Sequence, residues 1–153
     1  MSETIEFAAI GRVSCAVAER TDSGWGSVVS RITLDPAYAG GLDGLGSFSH
    51  ALIITYLHQA WFDPSRHLKR RPRGRDDMPE VGILSQRAKN RPNPIGVTAV
   101  EIVHVEADVL EVRGLDAIDG TPVLDIKPYY PVYDRIAGAA VPEWVDELMK
   151  GYF

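Results

Sequence analysis

Cysteine is almost absent from this chain of 153 residues. The single Cys15 excludes an intramolecular disulfide framework and a cysteine-rich zinc site, and it is typical of a reducing compartment. No apolar run approaches the ~20 residues that a membrane-spanning helix needs. The N-terminal stretch MSETIEFAAIG has no charged region followed by an apolar one, so no signal peptide is predicted. We therefore expect a cytoplasmic protein with no membrane association.

Several common catalytic signatures are missing as well. There is no Walker loop, no nucleophile elbow and no glycine-rich dinucleotide fingerprint. The glycines of GGLDGLG follow no strand and open no amphipathic helix, so they predict a loop. His50, His58, His67 and His104 do not fall at metal-ligand spacings with Cys or Asp, and we expect no metal site.

The net charge is small, only −5, but the charged residues are unevenly distributed along the chain. Nine of the sixteen basic residues lie between Arg66 and Arg91 with three acidic ones, which gives that window +6 and leaves −11 for the rest. Such asymmetry can focus an anionic ligand on one region while the remaining surface repels it. A solvated loop kept soluble by its charge is an equally good interpretation of composition alone.

Short, β-branched or alternating segments dominate the secondary structure that the sequence predicts. IEFAAIGRV and SVVSRITL predict strands, and the nearly unbroken apolar run ALIITYLHQAWF predicts a strand buried on both faces. The basic segment DPSRHLKRRPRGRDDMP has no apolar periodicity and predicts an exposed loop. GVTAVEIVHVEADVLEVRGL predicts a hairpin with its turn at EAD, and a second turn is expected at Asp119-Gly120.

Only one segment has the pattern of a good helix, PEWVDELMKGYF at the end of the chain. Proline can occupy its first turn, acidic residues come early, and apolar residues share one face. No repeat, low-complexity tract or linker divides the chain. The sequence thus predicts a single mostly-β domain over residues 1–153, a small closed or partly open barrel with a short C-terminal helix.

Two non-repetitive segments have a chemical form that ordinary turns lack. In SQRAKNRPNPIG, residues 85–96, Pro92 and Pro94 fix φ and push their predecessors towards extended geometry, which makes RPNPIG, residues 91–96, a rigid cationic elbow. DAIDGTPVLDIKPYYP, residues 116–131, places aspartates beside Gly120 and three prolines. Each puts polar groups on rigid backbone with a glycine that permits close approach of a ligand, as a purine or ribose site requires. The alternative is that both are merely turns of a proline-rich barrel.

These segments carry a family resemblance. RPNPIG followed by a hairpin and DGTPVLDIKPYYP resembles the TrmO (TsaA-like) family of S-adenosylmethionine-dependent tRNA methyltransferases, and FSHALIITYLHQ resembles that family's upstream segment. Order and spacing match from IGRV to about Tyr133. The resemblance implies a small β-barrel that binds S-adenosylmethionine, forms a homodimer and methylates N6 of threonylcarbamoyladenosine beside the anticodon of tRNA.

The resemblance also implies which residues hold the cofactor. They are His58 and Gln59 at the end of the apolar run, Arg87, Val97 after the elbow, and the turn Asp119, Gly120, Thr121 and Pro122. An early-loop contact has no match, because SGWGSV stands where the family shows a Pro-Arg-Gln-like run.

Acceptor binding is expected from the basic window and the elbow. The candidates are Arg70, Arg71, Arg73, Arg91 and Asn93. Larger relatives carry a C-terminal domain that engages tRNA, and we expect this chain to end before it. No proton acceptor is assigned; Asp125, Tyr129 and Tyr130 are near in sequence and are expected to be structural.

Two other functions fit the same residues. One is a methyltransferase acting on a small molecule, and the other is a non-catalytic module that binds an adenine-containing ligand as a signal. The apolar ALIITYLHQAWF and WVDELMKGYF favour a two-fold dimer with the cofactor site near the interface.

Overall fold

A computed structural model describes residues 3–153; the first two residues of the N-terminal stretch lie outside the described residues. Six antiparallel strands form a closed barrel in the order β1-β2-β7-β6-β3-β8, with β8 returning to β1. These strands are β1 Gly11–Ser14, β2 Val29–Leu34, β3 His50–Tyr56, β6 Ile95–Glu106, β7 Val109–Arg113 and β8 Pro122–Pro128. The predicted fold class, a small β-barrel, is confirmed.

Alternation of apolar side chains explains why the sheet closes. Along β2, Ser30, Ile32 and Leu34 point inward while their neighbours face solvent, because successive Cβ atoms of a strand leave opposite faces. Ile32, Ile53, Leu110, Val112 and Val123 meet inside the barrel, each with no accessible surface. One contiguous core therefore fills the barrel. Because the strand order is closed, the six-stranded sheet has no edge.

The prediction for the apolar run was wrong in one respect. Strand β3 ends at Tyr56, and only Ala51, Ile53 and Thr55 are buried, so it has one buried face rather than two. Its outer side chains, Leu52 and Ile54, are only partly covered. A continuous apolar run does not distinguish a strand buried on both faces from one whose outer face is half covered.

Two further expectations need correction. The first strand begins at Gly11, and Ile5 and Phe7 before it are exposed. The basic segment is not a bare loop, because it contains α1 Pro64–His67, the strand β4 Lys69–Arg70 and a 3-10 turn Pro72–Gly74. Strand β4 pairs with β5, Val81–Gly82, in a second small sheet.

The hairpin and the last helix follow the sequence prediction. Strands β6 and β7 pair antiparallel across a turn at Ala107, and helix α3 covers Glu143–Leu148. A short helix α2, Pro131–Asp134, precedes it. Within residues 3–153, no helix has the length and apolar character needed to cross a membrane.

Candidate functional site

The predicted cofactor residues meet at one end of the barrel. Strand β3 ends where β6 begins, since Tyr56 pairs with Ile95, and β8 begins beside the same end, since Thr55 pairs with Val123. The turn after β3 carries His58 and Gln59. Three segments that are distant in sequence therefore converge on one barrel mouth.

The elbow of residues 91–96 is tied directly to the turn after β3. The backbone N–H of Leu57 donates to the carbonyl of Pro94 at 2.8 Å, and that of Ile95 donates to the carbonyl of Asn93 at 2.8 Å. One residue before the elbow, the side-chain oxygen of Asn90 accepts from the N–H of Trp61 at 3.3 Å. Because proline fixes the backbone and these bonds fix its position, the exposed Asn93 is held beside the mouth.

Gly96 lies where strands β6 and β3 approach each other closely. A Cβ at this position would lie 2.6 Å from Oγ1 of Thr55 and 3.1 Å from Cδ2 of Leu57. The glycine thus permits close approach of β3. Gly120 in the other motif does leave open space, since no atom lies within 4 Å of its Cβ position.

Arg87 and Val97 are in direct contact. A guanidinium nitrogen of Arg87, Nη2, donates to the carbonyl of Val97, which places the arginine against the first residues of β6. Arg87 is exposed and makes no other hydrogen bond to the described residues, so Nε and Nη1 remain available to a ligand. The structure thus brings these two predicted cofactor residues together.

The turn Asp119–Pro122 is anchored to β1. Gly120 has φ of 81°, a conformation that favours glycine, and its N–H donates to the carbonyl of Val13 at 2.8 Å. Oδ1 of Asp119 accepts from the N–H of Cys15 at 3.1 Å. Thr121 and Pro122 are buried, which limits their side chains to shaping the turn, whereas Asp119 is exposed at the mouth.

A second polar network lies beneath this mouth. Asp116 accepts hydrogen bonds from the Thr98 hydroxyl and, at 2.5 Å, from the Tyr152 hydroxyl. Burial raises the pKa of Tyr152, and the negative charge of Asp116 raises it further. The tail residues 151–152 also accept backbone hydrogen bonds from Gly24 and Trp25 at 3.0 and 2.8 Å. The sequence carried no signal for this contact, because it joins residues 36 positions apart across the fold.

The predicted acceptor-binding arginines are not equally free. Arg71 donates to the carbonyl of Met78, and Arg91 donates to the carbonyls of Gln86 and Ala88 at 2.8 and 3.4 Å. These two guanidinium groups hold loops in place.

Arg70 and Arg73 have weaker protein contacts. Nε of Arg70 is buried without a hydrogen-bond partner among the described residues. Arg73 lies 3.9 Å from a carboxylate oxygen of Asp22 and 5.5 Å from the ring centre of Tyr152. Sequence reasoning missed Arg20, whose Nη1 donates to the carbonyl of Gln59 at 3.4 Å.

The residues considered as proton acceptors lie away from the mouth or are already paired. Oδ2 of Asp125 is 2.7 Å from the Lys127 amine, and this contact raises the pKa of Lys127. Tyr129 and Tyr130 follow the far end of β8. There they line a hollow of about 800 Å³ together with Phe48 and His50.

The hollow beside Tyr129 and Tyr130 contains none of the predicted cofactor residues. A second hollow, of about 340 Å³ between Leu42 and Ala107, also contains none of them. Among residues 3–153, no group of three His, Cys, Asp or Glu side chains is arranged to hold a metal ion. The candidate site is therefore an open barrel mouth built from backbone groups, one exposed aspartate and arginines.

The closed antiparallel barrel with this mouth belongs to a defined class of tRNA-methyltransferase domains. The family model described as tRNA-methyltransferase O N-terminal domain matches residues 20–135. Two crystal structures of TrmO from Pseudomonas aeruginosa superpose with TM-scores of 0.76 and 0.73 at 28% and 30% identity. They cover 94% and 90% of this chain and 63% and 62% of theirs. The chain belongs to the TrmO family, as its motifs predict.

The relatives include an archaeal protein and a bacterial enzyme whose names indicate a function. A probable S-adenosyl-L-methionine-binding protein from Methanothermobacter thermautotrophicus is 43% identical over 70% of this chain and 74% of its own length. The tRNA (adenine(37)-N6)-methyltransferase of Escherichia coli is 38% identical over 63% of this chain and 43% of its own length. The chain thus spans most of the archaeal relative but less than half of the bacterial enzyme.

Proposed function

We propose that this chain is an S-adenosylmethionine-dependent methyltransferase that methylates N6 of the adenosine at position 37 of tRNA. The observation that carries the proposal is the convergence of the His58-Gln59 turn, Arg87 with Val97, and the Asp119–Pro122 turn on one barrel mouth. Membership of the TrmO family and the names of the relatives support the same reaction. The threonylcarbamoyl form of the adenosine is the acceptor that the family resemblance implies.

The residues at the mouth fit the cofactor. Gly120 leaves open space, and the second carboxylate oxygen of Asp119 has no protein partner among the described residues, so it can accept from ribose hydroxyls. Arg87 offers charged donors to a carboxylate, and backbone groups of the elbow offer polar edges to adenine. When bound, S-adenosylmethionine supplies an electrophilic methyl group on a sulfonium.

The chain's own contribution is alignment. The Leu57–Pro94 and Arg87–Val97 hydrogen bonds fix the mouth before any ligand arrives, and fixed geometry lowers the entropic part of the barrier. Asn93, exposed on the rigid elbow, is placed to orient the acceptor base. The proton lost from N6 has no assigned acceptor in this chain.

Two properties complete the proposal. We propose a two-fold homodimer. Large apolar side chains are exposed between residues 130 and 141, among them Val132 at 96% and Tyr133 at 83%. A monomeric mass by light scattering at micromolar concentration would contradict the dimer. The single-domain organisation and a cytoplasmic site of action stay predictions.

Cofactor binding is tested by calorimetry with S-adenosylmethionine. Changing Arg87→Ala removes a charged hydrogen bond, for which we expect a loss of about 1.5–3 kcal/mol in binding free energy. The control is Arg66→Ala, an exposed arginine whose guanidinium carbon lies 5.8 Å from the Trp61 ring centre. Wild-type affinity in Arg87→Ala removes that residue from the site, and no binding by the wild type contradicts the proposed function.

A further inference from the structure

Four cationic side chains come together although one of them is far from the others in sequence. Arg20, Arg70, Arg73 and Lys89 form this cationic cluster. Arg73 lies 3.9 Å from the carboxylate of Asp22, which is two residues along the chain from Arg20. Burial lowers the pKa of Lys89, the carboxylate of Asp22 raises it, and the positive charges of Arg20, Arg70 and Arg73 lower it. The bond from Arg20 to the carbonyl of Gln59 places the cluster beside the turn after β3.

The cluster differs from the other basic residues of the segment in having few acidic neighbours. Lys69 pairs with Glu80 at 3.7 Å, and Arg75 pairs with Asp77 through two hydrogen bonds of 2.9 and 2.5 Å. In the cluster, Asp22 is the one carboxylate that acts on Lys89, and it is also the one beside Arg73. Four cationic groups against this one carboxylate leave the cluster with a net charge of +3 among these contacts.

Desolvation and the repulsion of three guanidinium groups penalise the ammonium form of the half-buried Lys89, and the attraction of Asp22 does not offset them, because the pKa is still lowered. Features of this kind persist where they serve a ligand. The buried, unpartnered Nε of Arg70 points to the same conclusion, because a buried donor without an acceptor is unfavourable. A bound oxyanion would satisfy the donor and offset the repulsion.

The charge of the possible ligands decides between them. S-adenosylmethionine at neutral pH carries a sulfonium and an ammonium against one carboxylate, so its net charge is positive and the cationic cluster repels it. A phosphodiester is an anion, and guanidinium groups match its oxygens in a bidentate geometry. The cluster therefore favours a nucleic-acid phosphate over the cofactor.

We propose that Arg20, Arg70, Arg73 and Lys89 form a binding site for a backbone phosphate of the tRNA, next to the turn that carries Gln59. This inference rests on the proposed function, because that function makes tRNA the source of the phosphate. It adds Lys89 and Arg20 to the acceptor-binding residues and assigns Arg71 and Arg91 to holding loops.

The test compares Lys89→Met with Lys69→Met. Both remove one ammonium group from the same region, but Lys69 is exposed and paired with Glu80. Losing one phosphate contact should reduce the slope of log K against log salt by about 0.7–0.9 and weaken tRNA binding about fivefold at 0.15 M salt. Lys69→Met should keep the wild-type slope, and S-adenosylmethionine affinity should be unchanged in both variants. Lys89→Met should unfold at the same or a higher urea concentration, since it removes a half-buried charge.

Three results would overturn the proposal. One is a wild-type affinity and slope in Lys89→Met, another is an equal loss in Lys69→Met, and the third is a loss of cofactor affinity without loss of tRNA affinity. If the wild type binds no tRNA, the proposed function fails, and calorimetry with inorganic tripolyphosphate tests the site separately. Binding that weakens in Lys89→Met supports a phosphate site, and binding that does not weaken, or no binding, overturns it.

Discussion

Gly96 offers the sharpest test of how the barrel mouth is built. Substituting alanine would place a Cβ 2.6 Å from Oγ1 of Thr55, closer than real Cβ contacts allow, and 3.1 Å from Cδ2 of Leu57. Thr55 is 3% exposed and belongs to β3, so it cannot turn away into solvent. Either the buried Thr55 side chain must take another rotamer or one of the two strands must move. Overpacking of this kind costs about 1–3 kcal/mol, and we expect Gly96→Ala to lower the free energy of unfolding by that amount.

The movement should also reach the cofactor site. Leu57 donates its N–H to Pro94, so displacing β3 from β6 shifts the elbow relative to the His58-Gln59 turn. We expect cofactor affinity to fall about tenfold, because polar contacts weaken steeply when their geometry is displaced. Gly41→Ala is the matched control, since nothing lies within 4 Å of its Cβ position and its φ is not positive.

Urea unfolding and calorimetry with S-adenosylmethionine measure the two effects. Gly41→Ala should be neutral or stabilise by up to about 1 kcal/mol, through the unfolded state. The reasoning is refuted if Gly96→Ala unfolds at the wild-type midpoint. Loss of cofactor binding at unchanged stability would instead mean that Gly96 faces the ligand.

Two other substitutions test the tail and the elbow. Tyr152→Phe removes the hydrogen bond to Asp116 and should lower the free energy of unfolding by about 1–2 kcal/mol at pH 8. Burial raises the pKa of Tyr152 above 10.0, so the stability that its neutral hydroxyl contributes is present below pH 10 and is lost as pH rises above it. Urea unfolding at pH 8 and 11 should therefore show a smaller difference between wild type and Tyr152→Phe at the higher pH, and a constant difference contradicts the linkage. Asn93→Ala should change the free energy of unfolding by no more than about 0.5 kcal/mol, because the side chain is exposed. It should lower the methyl-transfer rate while tRNA still binds. An unchanged rate removes Asn93 from the acceptor site.

The barrel could be predicted because local chemistry and tertiary structure agree along most strands. Alternation in SVVSRITL placed Ile32 and Leu34 inside, and Asp119-Gly120 formed the turn that its residues favour. The β4–β5 sheet escaped prediction because each strand has only two residues, too few for a period. The partial exposure of the outer face of β3 could not be predicted, because how far other segments cover that face is not a property of the strand's own sequence.

The candidate site was predictable only in part, because local motifs do not indicate contacts between residues that are distant in sequence. Family motifs located Arg87, Val97 and the Asp119 turn, and the structure places them at one mouth. The cationic cluster depends on Arg20, which the sequence separates from Lys89 by nearly seventy positions. The contact between Tyr152 and Asp116 likewise exists only once the tail has docked.

Methyl transfer to tRNA tests the central claim most directly. The purified chain is incubated with isotopically labelled S-adenosylmethionine and tRNA that carries threonylcarbamoyladenosine at position 37, and the digested nucleosides are analysed by mass spectrometry. The proposed function predicts one labelled methyl group on that nucleoside, which disappears when Arg87→Ala replaces the wild type at limiting cofactor. Cofactor binding without any labelled nucleoside would contradict the assignment of tRNA as the acceptor and favour a small-molecule acceptor.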